Sequence, residues 1–318
     1  MFTLQLGELR SIPLTNPTIA SWAVRIADAD IAGARNLVAS RGLVLLSSTG
    51  TAAVRQATGE IVWAVPSPSA RYQAGRTAAD SIRFIVPRGD GTVVAYDIAT
   101  GTLLWSTPAA AACPFDCRLS GVVISGDTVY VAGIVNGNAG GGLASTLVTA
   151  LDRNSGALLW REVDPTLEGG VNTPPVVAGR LLLLGSLQGW YFGGFDRFTR
   201  QWQWRRRAVN GGPYQTIGVA GDSIVLTGAD PVIYLLSAAT GASLMEARTR
   251  GSMYEAQFCG SFVISLSPEL RWFDMRSGQL IAARLPEDGG FTQALTVSGD
   301  TAIVITSEGS VAAYPCTP

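Results

Sequence analysis

The side chains able to do chemistry in this chain are limited mainly by what is missing. The chain has 318 residues with no histidine, and all 23 basic residues are arginine. Without histidine there can be no Ser-His-Asp or Cys-His arrangement and no His-bearing zinc site. Without lysine there can be no Schiff-base chemistry and no phosphate-loop lysine. An enzyme built from this chain would have to use carboxylates, Tyr, Arg, Cys or a bound cofactor.

The four cysteines give one candidate cross-link. Cys113 and Cys117 lie close together in a loop-like stretch, which predicts a short loop disulfide, with two ordinary reduced thiols as the alternative. A Cys₄ metal site needs two such pairs, so no metal site is predicted. Cys259 stands where sister segments carry Ala, which favours a small buried hydrophobic residue. Cys316, near the C-terminus, carries no prediction.

Composition excludes several classes of function. Hydrophobic residues make up 47% of the chain and charged residues 15%, with a formal net charge of −1. A chain this apolar can bury a large core, and it lacks the overall basic charge of a nucleic-acid binder. Its apolar runs are far shorter than the roughly 18 residues of a membrane helix. The N-terminus lacks the pattern of a signal peptide, so the protein is either cytoplasmic or has a leader absent from this numbering.

An internal repeat organises the chain. A β-rich run ends in Ala and is followed by x-Asp-x-x-Thr/Ser-Gly and then by x-x-x-Trp. Complete copies lie at 95–105 and 150–160. Degenerate copies place the Gly mark near positions 18, 59, 101, 156, 200, 241 and 278. The Trp column of the repeat contains Trp22, Trp63, Trp105, Trp160 and Trp204. Repeats of about 40–45 residues with room for four short strands are typical of propeller blades.

These repeats predict the domain organisation. We expect an all-β protein with an N-terminal arm at 1–17 and one seven-bladed propeller of four-stranded antiparallel blades at 18–318. The C-terminal copy ends near Tyr314 without its Trp strand, and the strand around Trp22 could supply it. The sequence therefore predicts that the N- and C-terminal strands close one blade.

The Ala-x-Asp-x-x-x-Gly-x-x-x-Trp signature resembles the pyrroloquinoline-quinone-like (PQQ-like) propeller repeat. That family includes quinoprotein alcohol dehydrogenases and non-enzymatic scaffolds of the BamB type. The dehydrogenases carry two adjacent cysteines, a Glu/Asn/Asp calcium site and a catalytic Asp, and none of these is matched here. The resemblance therefore implies a fold rather than a cofactor, and the Trp and Gly columns are expected to be structural.

Aligning the repeats brings out a column of aromatic and polar residues before each innermost strand. In a propeller such positions converge on one mouth of the central channel, where they could bind a planar or sugar-like ligand. Alternatively, they are turn and blade-spacing residues. The column contains Tyr72, Gln73, Phe115, Asp116, Asn172, Tyr214, Gln215, Tyr254, Glu255, Phe291 and Gln293.

A second candidate surface lies in the fourth repeat. Trp190 and Tyr191 precede Phe192, and aromatic residues in a row on a strand must point to alternating faces. They either pack between blades or form an exposed partner-binding patch. Arg205, Arg206 and Arg207 form a solvated strand edge or bind an acidic partner or anionic lipid.

Together these observations favour a non-catalytic protein-binding scaffold or assembly subunit without a cofactor. Its expected location is outside the cytoplasm, in the periplasm or at a bacterial cell surface, on the grounds of the Cys113–Cys117 pair and the family resemblance. We expect no nucleic-acid partner. The alternative is a small quinoprotein-type oxidoreductase, or a sugar- or quinone-binding protein, that uses the channel mouth.

Overall fold

The computed structural model describes residues 2–5, 8–11, 21–26, 36–48, 50–66, 75–110, 117–136, 144–164, 170–171, 173–186, 191–207, 213–228, 232–248, 255–266, 269–285, 292–306 and 311–318. Within these ranges the chain forms thirty β-strands and no helix. It divides into two compact units, Met1–Pro175 and Val176–Pro318.

The first unit contains a three-stranded N-terminal sheet and blades 1 to 3, all antiparallel. The N-terminal sheet consists of β1 (Phe2–Gln5), β2 (Glu8–Ser11) and β3 (Trp22–Arg25). Blade 1 consists of β4 (Asn36–Ser40), β5 (Leu43–Ser47), β6 (Thr51–Arg55) and β7 (Ile61–Val65). Blade 2 consists of β8 (Ala78–Ala79), β9 (Arg83–Pro87), β10 (Thr92–Asp97) and β11 (Leu103–Pro108). Blade 3 consists of β12 (Cys117–Ser125), β13 (Thr128–Asn136), β14 (Ala144–Asp152) and β15 (Leu158–Asp164).

The second unit contains blades 4 to 7. Blade 4 consists of β16 (Val176–Ala178), β17 (Leu181–Ser186), β18 (Tyr191–Asp196) and β19 (Gln201–Arg207). Blade 5 consists of β20 (Pro213–Ala220), β21 (Ser223–Gly228), β22 (Val232–Ser237) and β23 (Ser243–Arg248). Blade 6 consists of β24 (Glu255–Cys259), β25 (Phe262–Leu266), β26 (Leu270–Asp274) and β27 (Leu280–Arg284). Blade 7 has three described strands, β28 (Thr292–Ser298), β29 (Thr301–Thr306) and β30 (Val311–Pro315).

The predicted all-β, seven-bladed propeller is confirmed, and the strand at Trp22 needs a correction. The sequence predicts that strand as the fourth strand of blade 7. In the described strand pairs it belongs to the N-terminal sheet, where Leu9 of β2 pairs with Val24 of β3. Residues 2–11 form a hairpin that the repeat pattern did not reveal, and this hairpin supplies the partner strand.

Four repeat tryptophans pack on the turn of the following blade. A Cβ added to Gly101 would lie 2.7 Å from the Trp63 ring, so only glycine fits beneath the indole. The indole N–H of Trp63 donates to the carbonyl of Ile98 at 2.7 Å. The same pair of contacts joins Trp22 to Gly59 and Gln56, Trp105 to Gly156 and Arg153, and Trp204 to Gly241 and Ala238.

A β-bulge precedes the tryptophan position in every four-stranded blade. In blade 2, Ala95 pairs with Trp105 and Tyr96 pairs with Leu103, so Leu104 is the extra residue. The same shift occurs in blades 1, 3, 4, 5 and 6. Bulges bend a strand and re-aim its side chains, which here turns the indole toward the neighbouring blade. In blades 2, 3, 5 and 6 the residue before the bulge and the bulge residue itself are exposed.

Aspartate turns connect the third and fourth strands of several blades. In blade 6, one Asp274 carboxylate oxygen accepts hydrogen bonds from the N–H of Arg276 and the N–H and hydroxyl of Ser277. The N–H of Gly278 then closes the turn on the Asp274 carbonyl at 2.9 Å. Gly278 has a φ of 70°, which glycine adopts without strain.

The cysteine prediction also needs a correction. Cys259 and Cys316 form a disulfide that joins the end of β24 to the residue after β30, with their Cα atoms 5.1 Å apart. The sequence predicts Cys259 as a small buried hydrophobic residue, because sister segments carry Ala at that position. It gives no sign of the disulfide, since 57 residues separate the two cysteines. Cys113 lies outside the described residues, so its pairing with Cys117 stays a prediction.

Candidate protein-interaction surface

The predicted channel-mouth column lies mostly outside the described residues. This holds for Tyr72, Gln73, Phe115, Asp116, Asn172, Tyr254 and Phe291. Tyr214, Gln215 and Gln293 are strand residues whose side chains are not described. Glu255 is described, and its carboxylate accepts a hydrogen bond from the N–H of Leu295 in blade 7 at 2.9 Å. For Glu255 this contact favours the blade-spacing interpretation, and the convergence of the column stays a prediction.

Exposed apolar side chains lie on the outer strands of blades 2 and 3. We call Leu103, Leu104, Leu158, Leu159 and Val163 the outer apolar surface; each has between 43% and 53% of its area exposed. The first two lie on β11 and the other three on β15. Leu104 and Leu159 are the bulge residues of their blades, so neither belongs to a regular ladder that would turn it inward.

Blades 2 and 3 are held together beside this surface. Arg161 of β15 donates from Nε to the carbonyl of Ala109 at 2.6 Å and from Nη2 to that of Pro108 at 2.9 Å. The hydroxyl of Thr107 on β11 donates to the carbonyl of Gly156 at 2.7 Å. These bonds join blade 2 to blade 3 near β11 and β15. The exposed leucines therefore lie on strands of two blades that are joined to each other, and exposed apolar side chains on a rigid support suit a protein partner.

A charge network ties the same two blades at their turns. Arg153 pairs with two carboxylates: its Nη2 lies 2.9 Å from Asp127 Oδ1, and its Nη1 lies 3.6 Å from Asp80 Oδ2. Arg83 Nη1 also lies 3.2 Å from Asp80 Oδ2. Burial acts to raise the pKa of Asp80, but hydrogen bonds from the N–H groups of Ile82 and Arg83 outweigh it and lower the pKa. The carboxylate therefore stays ionised, and the network positions the blades.

Blade 4 carries the predicted arginine run, and the structure gives its three members different surroundings. Arg205 and Arg207 are exposed on β19, with their guanidinium groups 5.8 Å from the Trp202 ring and 5.9 Å from the Tyr191 ring. Arg206 is half-buried, and its guanidinium donates to Glu246 of blade 5 at 3.1 Å. Trp190 lies outside the described residues, and Tyr191 is half-buried.

A groove between blades 1 and 2 was missed by sequence reasoning. It has a volume of about 380 Å³, and its lining includes Arg41, Arg55, Leu43, Ile82 and Asp97. Arg41 adopts a φ of 49° where the corresponding turns of other blades place Gly, and its guanidinium donates to the Ser81 carbonyl at 3.0 Å. No sequence motif marks this groove, because its walls come from two different repeats.

These features define the class of protein: an all-β propeller of PQQ-like repeats, with Trp–Gly contacts between blades and exposed apolar outer strands. The family model described as outer membrane protein assembly factor BamB matches residues 47–189 and 144–254. The chain belongs to this family. Nothing among curated proteins matches it.

Solved structures agree on the fold. BamB from Moraxella catarrhalis matches with a TM-score of 0.72 and 16% identity over 99% of this chain and 90% of that one. The computationally designed Ika8 protein matches with a TM-score of 0.55 and 12% identity over 91% of this chain and 98% of that one. At these identities the likeness shows the fold. In the described part of the chain, no helix is long and apolar enough to cross a membrane.

Proposed function

We propose that this protein is a non-catalytic scaffold that binds a protein partner in an extracytoplasmic assembly, through the outer strands of its blades. The observation that carries the proposal is the outer apolar surface on β11 and β15. Five large apolar side chains are about half exposed on the outer strands of two blades that hydrogen bonds join. Clustered apolar side chains on a rigid surface are typical of a protein-interaction site.

Family membership supports the same function. The matching family is described as an outer membrane protein assembly factor, and a partner in such an assembly would be another envelope protein. The Cys259–Cys316 disulfide supports an oxidising compartment, since such bonds persist outside the cytoplasm.

Affinity isolation from the source organism tests this function. The tagged wild-type chain is compared with a variant carrying Leu158→Ser and Leu159→Ser. The matched control is Ile82→Ser, which removes an apolar residue with 48% exposure from a turn instead of an outer strand. We expect one envelope protein to co-purify with the wild type and the control and to be depleted at least about tenfold with the double variant.

Two outcomes would overturn the proposal. One is equal recovery of the partner with the double variant and the wild type. The other is dye-linked oxidation of alcohols or sugars above background after incubation with PQQ and calcium, which would favour the oxidoreductase alternative.

A further inference from the structure

The groove between blades 1 and 2 has walls that are bonded to each other. The Ser40 hydroxyl of blade 1 donates to the Asp80 carbonyl of blade 2 at 2.9 Å, and the Trp63 indole donates to the Ile98 carbonyl at 2.7 Å. Within blade 2, the N–H of Ile98 donates to the Ile82 carbonyl at 2.8 Å. These bonds fix the two walls relative to each other, so the shape of the groove exists before a ligand arrives.

Arg41 distinguishes this groove from the equivalent turns of other blades. It occupies the first position of the turn between β4 and β5 and has a φ of 49°, where a residue with a Cβ is strained. In blades 3 to 7 the same turn position is glycine, at Gly126, Gly179, Gly221, Gly260 and Gly299. A Cβ added to these glycines would meet no other group closer than 3.8 Å. Packing therefore does not require a large residue here, and a strained residue beside a groove indicates a functional site.

Arg41 supplies an available positive charge on the blade 1 wall. Its Nη1 donates to the Ser81 carbonyl at 3.0 Å, which holds the guanidinium against blade 2. Among the residues that the structure describes, no carboxylate pairs with Arg41, and its Nε and Nη2 groups have no acceptor. Arg55 lines the same groove, but its Nε lies 2.9 Å from Glu60 Oε2, so its charge is already paired. Arg41 is therefore the cation that can meet a ligand.

Asp97 supplies a negative charge on the blade 2 wall. Its Oδ1 accepts three hydrogen bonds, from the N–H of Ala99 and from the N–H and hydroxyl of Thr100. Its Oδ2 accepts none from the described residues, so one carboxylate oxygen is left for a donor. Between the two charged walls lie apolar side chains, the buried Leu43 and the half-buried Val62. The groove thus combines a cation, an anion and an apolar floor.

We propose that this groove binds a small zwitterion, a free α-amino acid with an apolar side chain. The ligand carboxylate bonds to Arg41, its ammonium group bonds to Asp97, and its side chain packs on Leu43 and Val62. A ligand with one charge would leave the opposite wall unpaired, which favours a zwitterion. The volume of about 380 Å³ is near the lower end of the roughly 300–1,000 Å³ of small-molecule sites, so the ligand is small.

This inference goes beyond the scaffold function and does not depend on it. The groove is lined by none of the residues of the outer apolar surface. A protein partner on the outer strands and a small ligand in the groove would therefore use different side chains.

Isothermal titration calorimetry with the full chain tests the ligand class. The probes are L-leucine and L-phenylalanine, and two analogues of leucine are the controls. One analogue, 3-methylbutylamine, lacks the carboxylate, and the other, 4-methylpentanoate, lacks the ammonium group. We expect at least one of the amino acids to bind. We expect each analogue to bind at least about tenfold more weakly than leucine, because each loses one charged hydrogen bond.

Substitution of Arg41 tests the site. Arg41→Gly removes the guanidinium and gives the turn the residue that five other blades have there, so the backbone keeps its conformation without strain. Arg41→Gln is a second variant that keeps a long polar side chain and loses the charge. Both should bind the amino acid at least about tenfold more weakly. The control, Arg248→Gln, removes an exposed arginine from the end of β23 and should stay within about twofold of wild type.

Three results would overturn the inference. The first is no binding of either amino acid by the wild type. The second is equally tight binding by the wild type and by an Arg41 variant whose thermal melt shows that it folds. The third is an analogue that binds as tightly as leucine, because the opposite wall of the groove would then take no part in recognition.

Discussion

Single side chains join neighbouring blades through contacts that recur along the chain. The indole of Trp63 covers Gly101, and the indole N–H donates a hydrogen bond to the carbonyl of Ile98. One side chain therefore supplies both packing and a hydrogen bond between blades. The sequence predicted the structural role of Trp and Gly from their spacing. It did not predict the carbonyl acceptor, because a backbone group carries no sequence signal.

Replacing Gly101 with Ala tests this contact. We expect the free energy of unfolding to fall by about 2–4 kcal/mol. The new Cβ would lie 2.7 Å from the Trp63 ring, and residue 101 has a φ of 71°. Gly126→Ala is the matched control, since Gly126 has a φ of 59° and nothing within 4 Å of its added Cβ. The free energy of unfolding of the control should fall by about 1 kcal/mol. Urea denaturation measures both variants, and an equal fall in the two would contradict the packing role of Gly101.

The aspartate turns predict a loss of stability in acid. The hydroxyl of Ser155 lowers the pKa of Asp152, and the N–H of Ser277 lowers that of Asp274, from the ordinary value of 3.8. A lowered pKa stabilises the fold above the unfolded value, and this stability is lost as pH falls through the folded value. Asp152→Asn with Asp274→Asn should therefore flatten the decline in unfolding free energy between about pH 5 and pH 3. If the unfolding free energy of the double variant falls with pH as steeply as that of the wild type, these turns do not control the acid sensitivity.

At the scale of elements, the repeat predicted the blades well and the chain ends poorly. Blades 2 and 3 carry complete repeat copies, and their strands lie where the pattern places them. The hairpin at residues 2–11 has no repeat signature, so β1 and β2 were missed. The Cys259–Cys316 disulfide was missed for a related reason: its ends come together through blade packing and not through local spacing.

Removing residues 1–30 should destabilise the first unit. Leu9 is fully buried in a cluster with Val44, Leu46 and Val54 of blade 1, and Trp22 covers Gly59. Loss of β1–β3 exposes this cluster to water, and Leu9→Ala alone should cost about 3 kcal/mol. Thermal unfolding of the truncated and substituted chains measures the effect. A truncation that melts like the full chain would show that the N-terminal sheet does not stabilise blade 1.

Breaking the Cys259–Cys316 bond should destabilise blades 6 and 7. The bond spans 57 residues, which corresponds to about 4 kcal/mol in the chain-entropy estimate. Cys259→Ser with Cys316→Ser should lower the free energy of unfolding by up to this amount, and a reductant should have little further effect on that variant. A double variant as stable as the oxidised wild type would show that the bond contributes nothing to folding.

At the scale of the whole molecule, sequence reasoning predicted the fold class and the family and left the interaction surface unresolved. The outer apolar surface was missed, because its leucines precede each Trp in an ordinary-looking apolar run. Their exposure follows from the bulges, which only the strand register reveals. The predicted channel-mouth column falls largely in residues whose placement is not described, so it stays a prediction.

The most direct test of the scaffold function is photo-crosslinking in intact cells of the source organism. A photoreactive amino acid at Leu159 probes the outer apolar surface, and the same residue at Thr58, exposed on the turn between β6 and β7, is the control. The scaffold function predicts one discrete crosslinked product at position 159, identified by mass spectrometry as an envelope protein, and none at position 58. No product at position 159, or the same products at both positions, would contradict it.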